Sequence, residues 1–152
     1  MENVLIVGVG SVLKGDDGVG MRVVEELGKE ALGDGVKLYG GDISGLDLLK
    51  HFPESGRVII IDAADMGEPA GTVKVFAFRD IKRSEFNDRF STHSMGLLET
   101  LTLAEKIGLG CDVTIVGVQP ENTDYSLDLS DRVKGKIPFI VEEVKRLIHL
   151  YR

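Results

Sequence analysis

Three aspartates and one histidine are the residues of this chain best suited to chemistry. Asp16 and Asp17 end a glycine-rich loop after a short apolar stretch, and Asp62 directly follows a β-branched run. His93 lies in the polar run Ser91–Ser94, where a helix is expected to begin. Two carboxylates and one imidazole suit a borderline divalent ion and leave coordination positions open for water or substrate. The spacing favours a shared metal site of Asp17 (or Asp16), Asp62 and His93.

Each of these groups also has an ordinary structural explanation. An aspartate at a strand end often caps a turn, and a Ser-Thr-His-Ser run is typical of a helix start. The hydroxyl residues beside His93 do not indicate a serine triad, because the G-x-S-x-G motif is absent and sequence neighbours need not face one another. The metal site is therefore a hypothesis that depends on where the fold places these residues.

The elements around these groups are predicted to bring them together. Asn3–Val9 and Arg57–Ile61 are apolar runs of the kind found in strands buried on both faces of a parallel sheet. Open α/β sheets bind ligands at the carboxyl ends of their strands, so Asp17 and Asp62 are expected on one rim. A helix beginning at His93 or the next residue is predicted to bring the imidazole to the same rim.

Strands and helices alternate along the rest of the chain. The other predicted elements are a helix at Val19–Leu32, a strand at Val36–Tyr39, a Gly-rich turn at Gly40–Gly45, a short helix stopped by Pro53, an edge strand at Thr72–Phe78, a strand at Val113–Val118 and a helix capped by Ser130 and kinked at Pro138. The charged segment Arg79–Ser91 is predicted to be a loop with at most one helical turn. This order predicts an α/β three-layer sandwich. Its sheet is mostly parallel and twisted, with about five strands, one antiparallel edge strand and helices on both faces.

Composition restricts the classes of partner. The chain has 152 residues, which fits a single domain over 1–152, and 18 basic against 25 acidic residues give a net charge of −7. No run of Lys or Arg suits nucleic acid, and no apolar run is long enough for stable membrane insertion. The single cysteine, Cys111, excludes an internal disulfide and fits a reducing compartment. We expect a cytoplasmic monomer that binds no nucleic acid.

The glycines of the first loop raise a second hypothesis, a dinucleotide-binding turn. Gly8–Gly10 would open that turn, and Asp42 would bind a ribose. However, Leu13 replaces the third glycine of the motif, and the predicted helix begins several residues too late. Asp16 and Asp17 would also place negative charge where the pyrophosphate must bind. We therefore expect no nucleotide cofactor.

Five motifs, in order along nearly the whole chain, resemble the hydrogenase maturation endopeptidases. The motifs are GVGSVLKGDDGVG at Gly8–Gly20, GGDISGLDLL at Gly40–Leu49, IIIDAADMGEPAGT at Ile59–Thr72, STHSMGLLETL at Ser91–Leu101 and GVQPE at Gly117–Glu121. The resemblance implies a phosphorylase/hydrolase-like fold. It also implies an endopeptidase that removes the C-terminal extension of a nickel-iron hydrogenase large-subunit precursor after nickel insertion. Asp62–Gly67 and Thr92–Met95 look most similar to the branch that serves formate-hydrogenlyase-type and related membrane-bound hydrogenases.

The resemblance also implies roles for individual residues. The metal-contacting positions of the family fall on Asp17, Asp62 and His93, and the nickel is expected to arrive in the precursor. A metal-dependent mechanism would polarise the scissile carbonyl or activate a water, with Asp16 as the neighbouring group that handles protons. If the metal only docks the substrate, cleavage would instead depend on carboxylate acid/base chemistry of the aspartic type. Both mechanisms stay open.

Two positions depart from the family pattern. Ser11 stands where Asn usually follows G-x-G, and Asp42 stands where Thr or Ser commonly follows the Gly-Gly pair. Asp42 adds a carboxylate beside the expected site, so metal affinity or substrate fit could differ. Two alternatives to an endopeptidase remain open: a non-proteolytic Rossmann-like module that binds a nucleotide or metal, and a maturation chaperone that grips the nickel centre without cutting.

Overall fold

A five-stranded sheet forms the centre of the molecule. The structure is a computed structural model and describes residues 3–40, 48–50, 56–90, 92–108 and 112–151. The strands are β1 (Val4–Gly8), β2 (Val36–Gly40), β3 (Arg57–Ala63), β4 (Val73–Ala77) and β5 (Asp112–Val118). Their order is β2-β1-β3-β5-β4, with β4 antiparallel to β5 and the other pairs parallel. The predicted mostly parallel sheet with one antiparallel edge strand is confirmed.

Helices cover both faces of this sheet. They are α1 (Val19–Leu27), α2 (Arg83–Arg89), α3 (Thr92–Lys106), α4 (Asp131–Lys134) and α5 (Ile137–Leu150), with 3-10 helices at Gly15–Gly18 and Phe78–Asp80. On one face, Val23 of α1 and Val144 of α5 belong to the same core cluster as Ile6 of β1. On the other face, Leu101 of α3 packs in a second cluster with Val7 of β1. The two clusters confirm the three-layer α/β sandwich.

The central strands are apolar along their whole length because both of their faces are covered. All five residues of β1 are buried, and successive side chains point to opposite layers of the sandwich. In β3, six of the seven residues are buried, and they include Asp62. A carboxylate inside such a strand is energetically unfavourable unless another group compensates it. Its buried position in β3 makes Asp62 a candidate for a functional role.

The segment between β4 and α3 differs from its prediction. Arg83–Arg89 forms the seven-residue helix α2, so the prediction of at most one helical turn for Arg79–Ser91 was wrong. Glu85 lies in the first turn of α2 and Arg89 in the last, where these charges suit the helix dipole. Their spacing of four residues, acid before base, is the sequence signal for a helix in this charged stretch.

Two helices replace the single kinked helix predicted after Ser130. α4 ends at Lys134, α5 begins at Ile137, and Pro138 lies in the first turn of α5 rather than inside a continuous helix. Proline is tolerated there because first-turn N–H groups have no helical partner. Ser130 occupies the N-cap position of α4, but its side chain makes no cap hydrogen bond. The predicted kink is therefore wrong, whereas the predicted N-cap position of Ser130 is confirmed, and its hydroxyl donates to Asp16.

Some predictions concern residues outside the described ranges. They are the turn containing Asp42, the helix end at Pro53, the serine at position 91 and Cys111.

Helix α1 ends at Leu27, earlier than predicted, because the amides of Lys29 and Glu30 donate hydrogen bonds to the carbonyls three residues before them. Within the described ranges, no helix is long and apolar enough to cross a membrane.

Candidate active site

The register of β1 and β3 brings Asp17 and Asp62 to one rim of the sheet. Gly8 at the end of β1 pairs with Ile61, and the amide of Val9 donates a 3.0 Å hydrogen bond to the Ile61 carbonyl. The chain then turns through the 3-10 helix that carries Asp17, and this helix contacts β3 directly. Asp17 is 4% exposed and Asp62 is 1% exposed. Two buried carboxylates at adjacent strand ends are typical of a functional site.

The Asp17 carboxylate is hydrogen-bonded to the backbone of its own loop, the one that follows β1. Its Oδ2 atom accepts a 2.9 Å hydrogen bond from the amide of Ser11, and the amide of Asp17 donates to the Lys14 carbonyl. Because Ser11 contributes its backbone N–H, the contact does not require the asparagine that is usual in the family. The hydroxyl of Ser11 accepts a hydrogen bond from the amide of Leu13 instead. This residue therefore serves to shape the loop.

Gly10 allows the loop to pass close to Asp17. Its φ of +113° is a conformation that L side chains rarely adopt, and a Cβ atom there would overlap the carbonyl oxygen of Asp17. The same Cβ would lie 3.4 Å from Oδ2 of Asp17. The glycine is thus required by geometry, and the tight turn it allows is what points the Asp17 carboxylate back toward the amide of Ser11.

Asp16, predicted to handle protons beside Asp17, is bound into the fold. Its side chain is fully buried, and its two oxygens accept hydrogen bonds from the amides of Glu121, Asn122 and Ser130 and from the Ser130 hydroxyl. The four distances run from 2.8 to 3.1 Å. Both oxygens therefore bond to the segment 121–130, and this contact indicates a structural role for Asp16.

His93 follows a helix whose last residue is hydrogen-bonded to the loop after β3. It is the second residue of α3, so this helix begins one residue before the predicted start. The amide of Asp65, three residues after Asp62, donates a 2.7 Å hydrogen bond to the carbonyl of Arg89, and α3 follows shortly after. The His93 side chain lies outside the described residues. Among the side chains that are described, no three metal-ligating groups come together.

Gln119 organises the loop after Asp62, a role that was not predicted from the sequence motif that contains it. This buried side chain follows β5, and its Oε1 atom accepts hydrogen bonds from the amides of Met66 and Glu68 at 2.6 and 3.3 Å. Its Nε2 atom donates to Asp65, and this bond, with the amide of Gly67, holds the pKa of the Asp65 carboxyl below its ordinary value. The sequence feature that could have indicated this role is an uncharged polar residue between an apolar strand and Pro120.

Replacing Gln119 by alanine is expected to destabilise the fold by about 1–3 kcal/mol, because the buried amide of Met66 and the part-buried amide of Glu68 lose their acceptor. Denaturant unfolding measures the change in free energy. The matched control is Asp65→Asn. It alters an exposed acceptor of the Gln119 side-chain amide, and its free energy of unfolding should stay within about 0.5 kcal/mol of the wild-type value. Equal stability of the Gln119→Ala variant and the wild type would refute this role of Gln119.

A groove of about 370 Å³ lies on the surface away from this rim and is lined by residues 31–34 together with Lys145, Ile148 and His149. The amide of Val4, at the start of β1, donates to Gly35, so this groove borders the amino edge of the sheet. His149 lies in the last turn of α5, where a basic group suits the helix dipole. The groove is therefore separate from the Asp17–Asp62 rim.

Comparison with known proteins identifies the family. The model of the family described as "HycI: Hydrogenase maturation protease" matches residues 21–147. The chain belongs to the hydrogenase maturation protease family. HupD of Rhodobacter capsulatus, a hydrogenase expression/formation protein, is 34% identical over 149 residues, which are 95% of this chain and 70% of that protein. The hydrogenase 2 maturation protease of Escherichia coli is 30% identical over 144 residues, which are 93% of this chain and 87% of that protein.

Solved structures of the hydrogenase maturation proteases share the fold. The hydrogenase maturating endopeptidase HybD from E. coli superposes with a TM-score of 0.82 at 29% identity, covering 93% of this chain and 89% of that one. HybD from Thermococcus kodakarensis gives a TM-score of 0.75 at 25% identity, covering 96% and 99%. The predicted family, α/β fold and peptidase activity are thus confirmed. Assignment to the formate-hydrogenlyase-type branch stays a prediction.

The loop geometry also bears on the dinucleotide hypothesis. In a dinucleotide-binding turn, the backbone amides after the first strand are directed at a phosphate. Here the amide of Ser11 donates to Asp17, a negative group of the chain itself. A phosphate bound there would have to displace this carboxylate and would meet its charge. Together with membership of a peptidase family, this geometry disfavours a nucleotide-binding module.

Proposed function

We propose that this peptidase removes the C-terminal extension of the large-subunit precursor of a nickel-iron hydrogenase after nickel insertion, and that Asp17, Asp62 and His93 recognise the nickel. The observation that carries the proposal is the pair of buried carboxylates, 4% and 1% exposed, on adjacent ends of β1 and β3. His93 is the second residue of α3, which follows Arg89, and the carbonyl of Arg89 accepts a hydrogen bond from the amide of Asp65 in the loop after β3. The reducing compartment suggested by the single cysteine favours the cytoplasm as the place of processing.

The chemistry of this donor set supports nickel as the group recognised. Carboxylate oxygens and an imidazole nitrogen bind borderline divalent ions, and three protein ligands leave positions for ligands supplied by the precursor. Burial of two negative side chains on one rim is unfavourable for the free enzyme, whereas a cation carried by the substrate would offset that charge. Docking of the precursor should therefore depend on its metal.

Two mechanisms are compatible with this arrangement. The nickel of the precursor would supply a Lewis acid near the scissile bond, while Asp17 and Asp62 orient the precursor so that a water molecule can attack the scissile carbonyl. In the other mechanism the carboxylates transfer the protons themselves, as in aspartic-type peptidases. We assign no proton transfer to Asp16 in either case, because its side chain is buried and both of its oxygens accept hydrogen bonds from the segment 121–130.

Nickel dependence is the direct test of the proposed function. A nickel-loaded precursor mixed with this protein should lose the mass of its C-terminal extension in mass spectrometry, whereas the nickel-free precursor should keep its full mass. The control is the nickel-free precursor reloaded with nickel, which should again be cut. Cleavage of both forms at the same rate would exclude recognition of the metal. Stable binding of the loaded precursor without loss of mass would favour the chaperone alternative.

A further inference from the structure

Asp16 joins two loops that are distant in sequence. Its four donors belong to the segment 121–130, which lies 105 to 114 positions further along the chain. The side chain is 0% exposed, so water does not compete for its oxygens. Hydrogen bonds from amides and a hydroxyl to a buried carboxylate are charge-assisted and are stronger than bonds between neutral groups. The carboxylate therefore acts as a clasp between the first loop and the segment 121–130.

Backbone contacts extend the same junction. The amide of Gly15 donates to Ser126 at 2.9 Å, the amide of Asp16 donates to Asn122 at 2.9 Å, and the amide of Ser126 donates to Leu13 at 2.9 Å. Lys14 and Ser126 form an isolated parallel bridge. These contacts surround the Asp16 side chain with ordered backbone. The segment 121–130 is therefore part of the structure that supports the first loop.

Asp17 depends on this support because the helix that carries it is very short. The 3-10 helix Gly15–Gly18 has four residues and no side-chain cap at its N-terminus. So short a helix is not stable by itself, and tertiary contacts must fix it. Asp16 precedes Asp17 directly and is held on the side of the segment 121–130, while the Asp17 carboxylate turns to the amide of Ser11.

We infer that Asp16 is a positioning residue, which fixes the Asp17 carboxylate by clasping the segment 121–130 and does not itself touch the substrate. The role rests on the proposed function, since it acts through Asp17. Catalysis tolerates little misplacement, and a shift of about 1 Å in a reacting group can cost about 100-fold in rate. Loosening the clasp should therefore reduce processing even though the atoms of Asp17, Asp62 and His93 remain.

Amide exchange tests the clasp without any substrate. Asp16→Asn keeps the shape of the side chain but replaces one acceptor oxygen by a donor group. The amides of Glu121, Asn122 and Ser130 should then exchange at least about tenfold faster in NMR. The control Asp124→Asn makes the same change of charge on an exposed aspartate of the same segment and should leave these amides unchanged. Unchanged exchange in the Asp16→Asn variant would overturn the clasp.

Kinetics test whether the clasp acts through Asp17. Asp16→Asn should lower kcat/KM for precursor processing by at least about tenfold. The loss in kcat/KM should divide between kcat and KM in the same ratio as in the Asp17→Glu variant, in which the Asp17 carboxylate is displaced directly. A change confined to kcat in one variant and to KM in the other would overturn this route of action.

Ser130→Ala provides the second variant and removes only the hydroxyl donor. It should lower kcat/KM by a few-fold, about threefold for one lost hydrogen bond of moderate strength. In the Asp16→Asn background the same change should have no further effect, because its acceptor is already altered. Independent, additive effects would contradict the clasp. Failure of the wild type to cut any precursor would reject the proposed function, while amide exchange still decides the clasp.

Discussion

Asp62→Asn is expected to abolish precursor processing, with a loss of at least about 1,000-fold in kcat/KM, while the protein stays folded. The side chain is 1% exposed at the end of β3, and asparagine has nearly the same volume, so no cavity forms. The variant lacks the negative charge that would face a metal or carry a proton. Both mechanisms described above require that charge, so the loss does not depend on which one operates.

Thermal unfolding separates a loss of activity from a loss of the fold. Asparagine keeps the size of the Asp62 side chain and one of its two oxygens, so the Asp62→Asn variant should remain folded. A folded variant that no longer cuts the precursor would show that the carboxylate is required by the site.

The matched control for this experiment is Asp65→Asn. Asp65 lies three residues further along the chain, in the loop after β3, but it is exposed and bonded to Gln119. Its replacement removes the same charge from the same region and should keep most of the processing activity. Mass spectrometry of the precursor measures cleavage, and thermal unfolding measures stability. Full activity of the Asp62→Asn variant would exclude Asp62 from the mechanism.

The central part of the fold was predictable from the sequence because burial on both faces leaves a continuous apolar run. β1 and β3 were found in this way, and parallel pairing then placed the ends of both strands on one rim. The position of Asp62 followed from the strand that contains it. These inferences depend on local sequence and on a general rule of sheet topology. They require no knowledge of contacts between residues that are distant in sequence.

The parts that were missed depend on contacts between distant residues. Nothing near Asp16 shows that its partners lie more than 100 positions away, and two adjacent aspartates look equivalent in a sequence. The same limit applies to Gln119, whose acceptors and donors belong to the loop after β3. Helix α2 was missed for a different reason. Its charged sequence lacks an apolar stripe, so only a weak charge pattern marked it.

Gly10→Ala should destabilise the protein more than alanine at Gly67 or Gly96 does, by about 3 kcal/mol or more. Two costs add at this position. The φ of +113° strains any residue with a Cβ, and that Cβ would overlap the carbonyl oxygen of Asp17. The overlap involves backbone, so it cannot be relieved by rotating a side chain. Relief requires movement of the turn that carries Asp17, and processing should fall together with stability.

The other two glycines separate these costs. Gly67 has a φ of +69° with nothing within 4 Å of an added Cβ, so Gly67→Ala should show the backbone strain alone, about 1–2 kcal/mol. Gly96 is exposed in α3 and equally open, and Gly96→Ala should stabilise the protein by about 0.5–1 kcal/mol. Denaturant unfolding of the three variants gives the comparison. If Gly10→Ala costs no more than Gly67→Ala, the close approach of the first loop to Asp17 is not part of the folded structure. The rim would then lack the turn that fixes its first carboxylate.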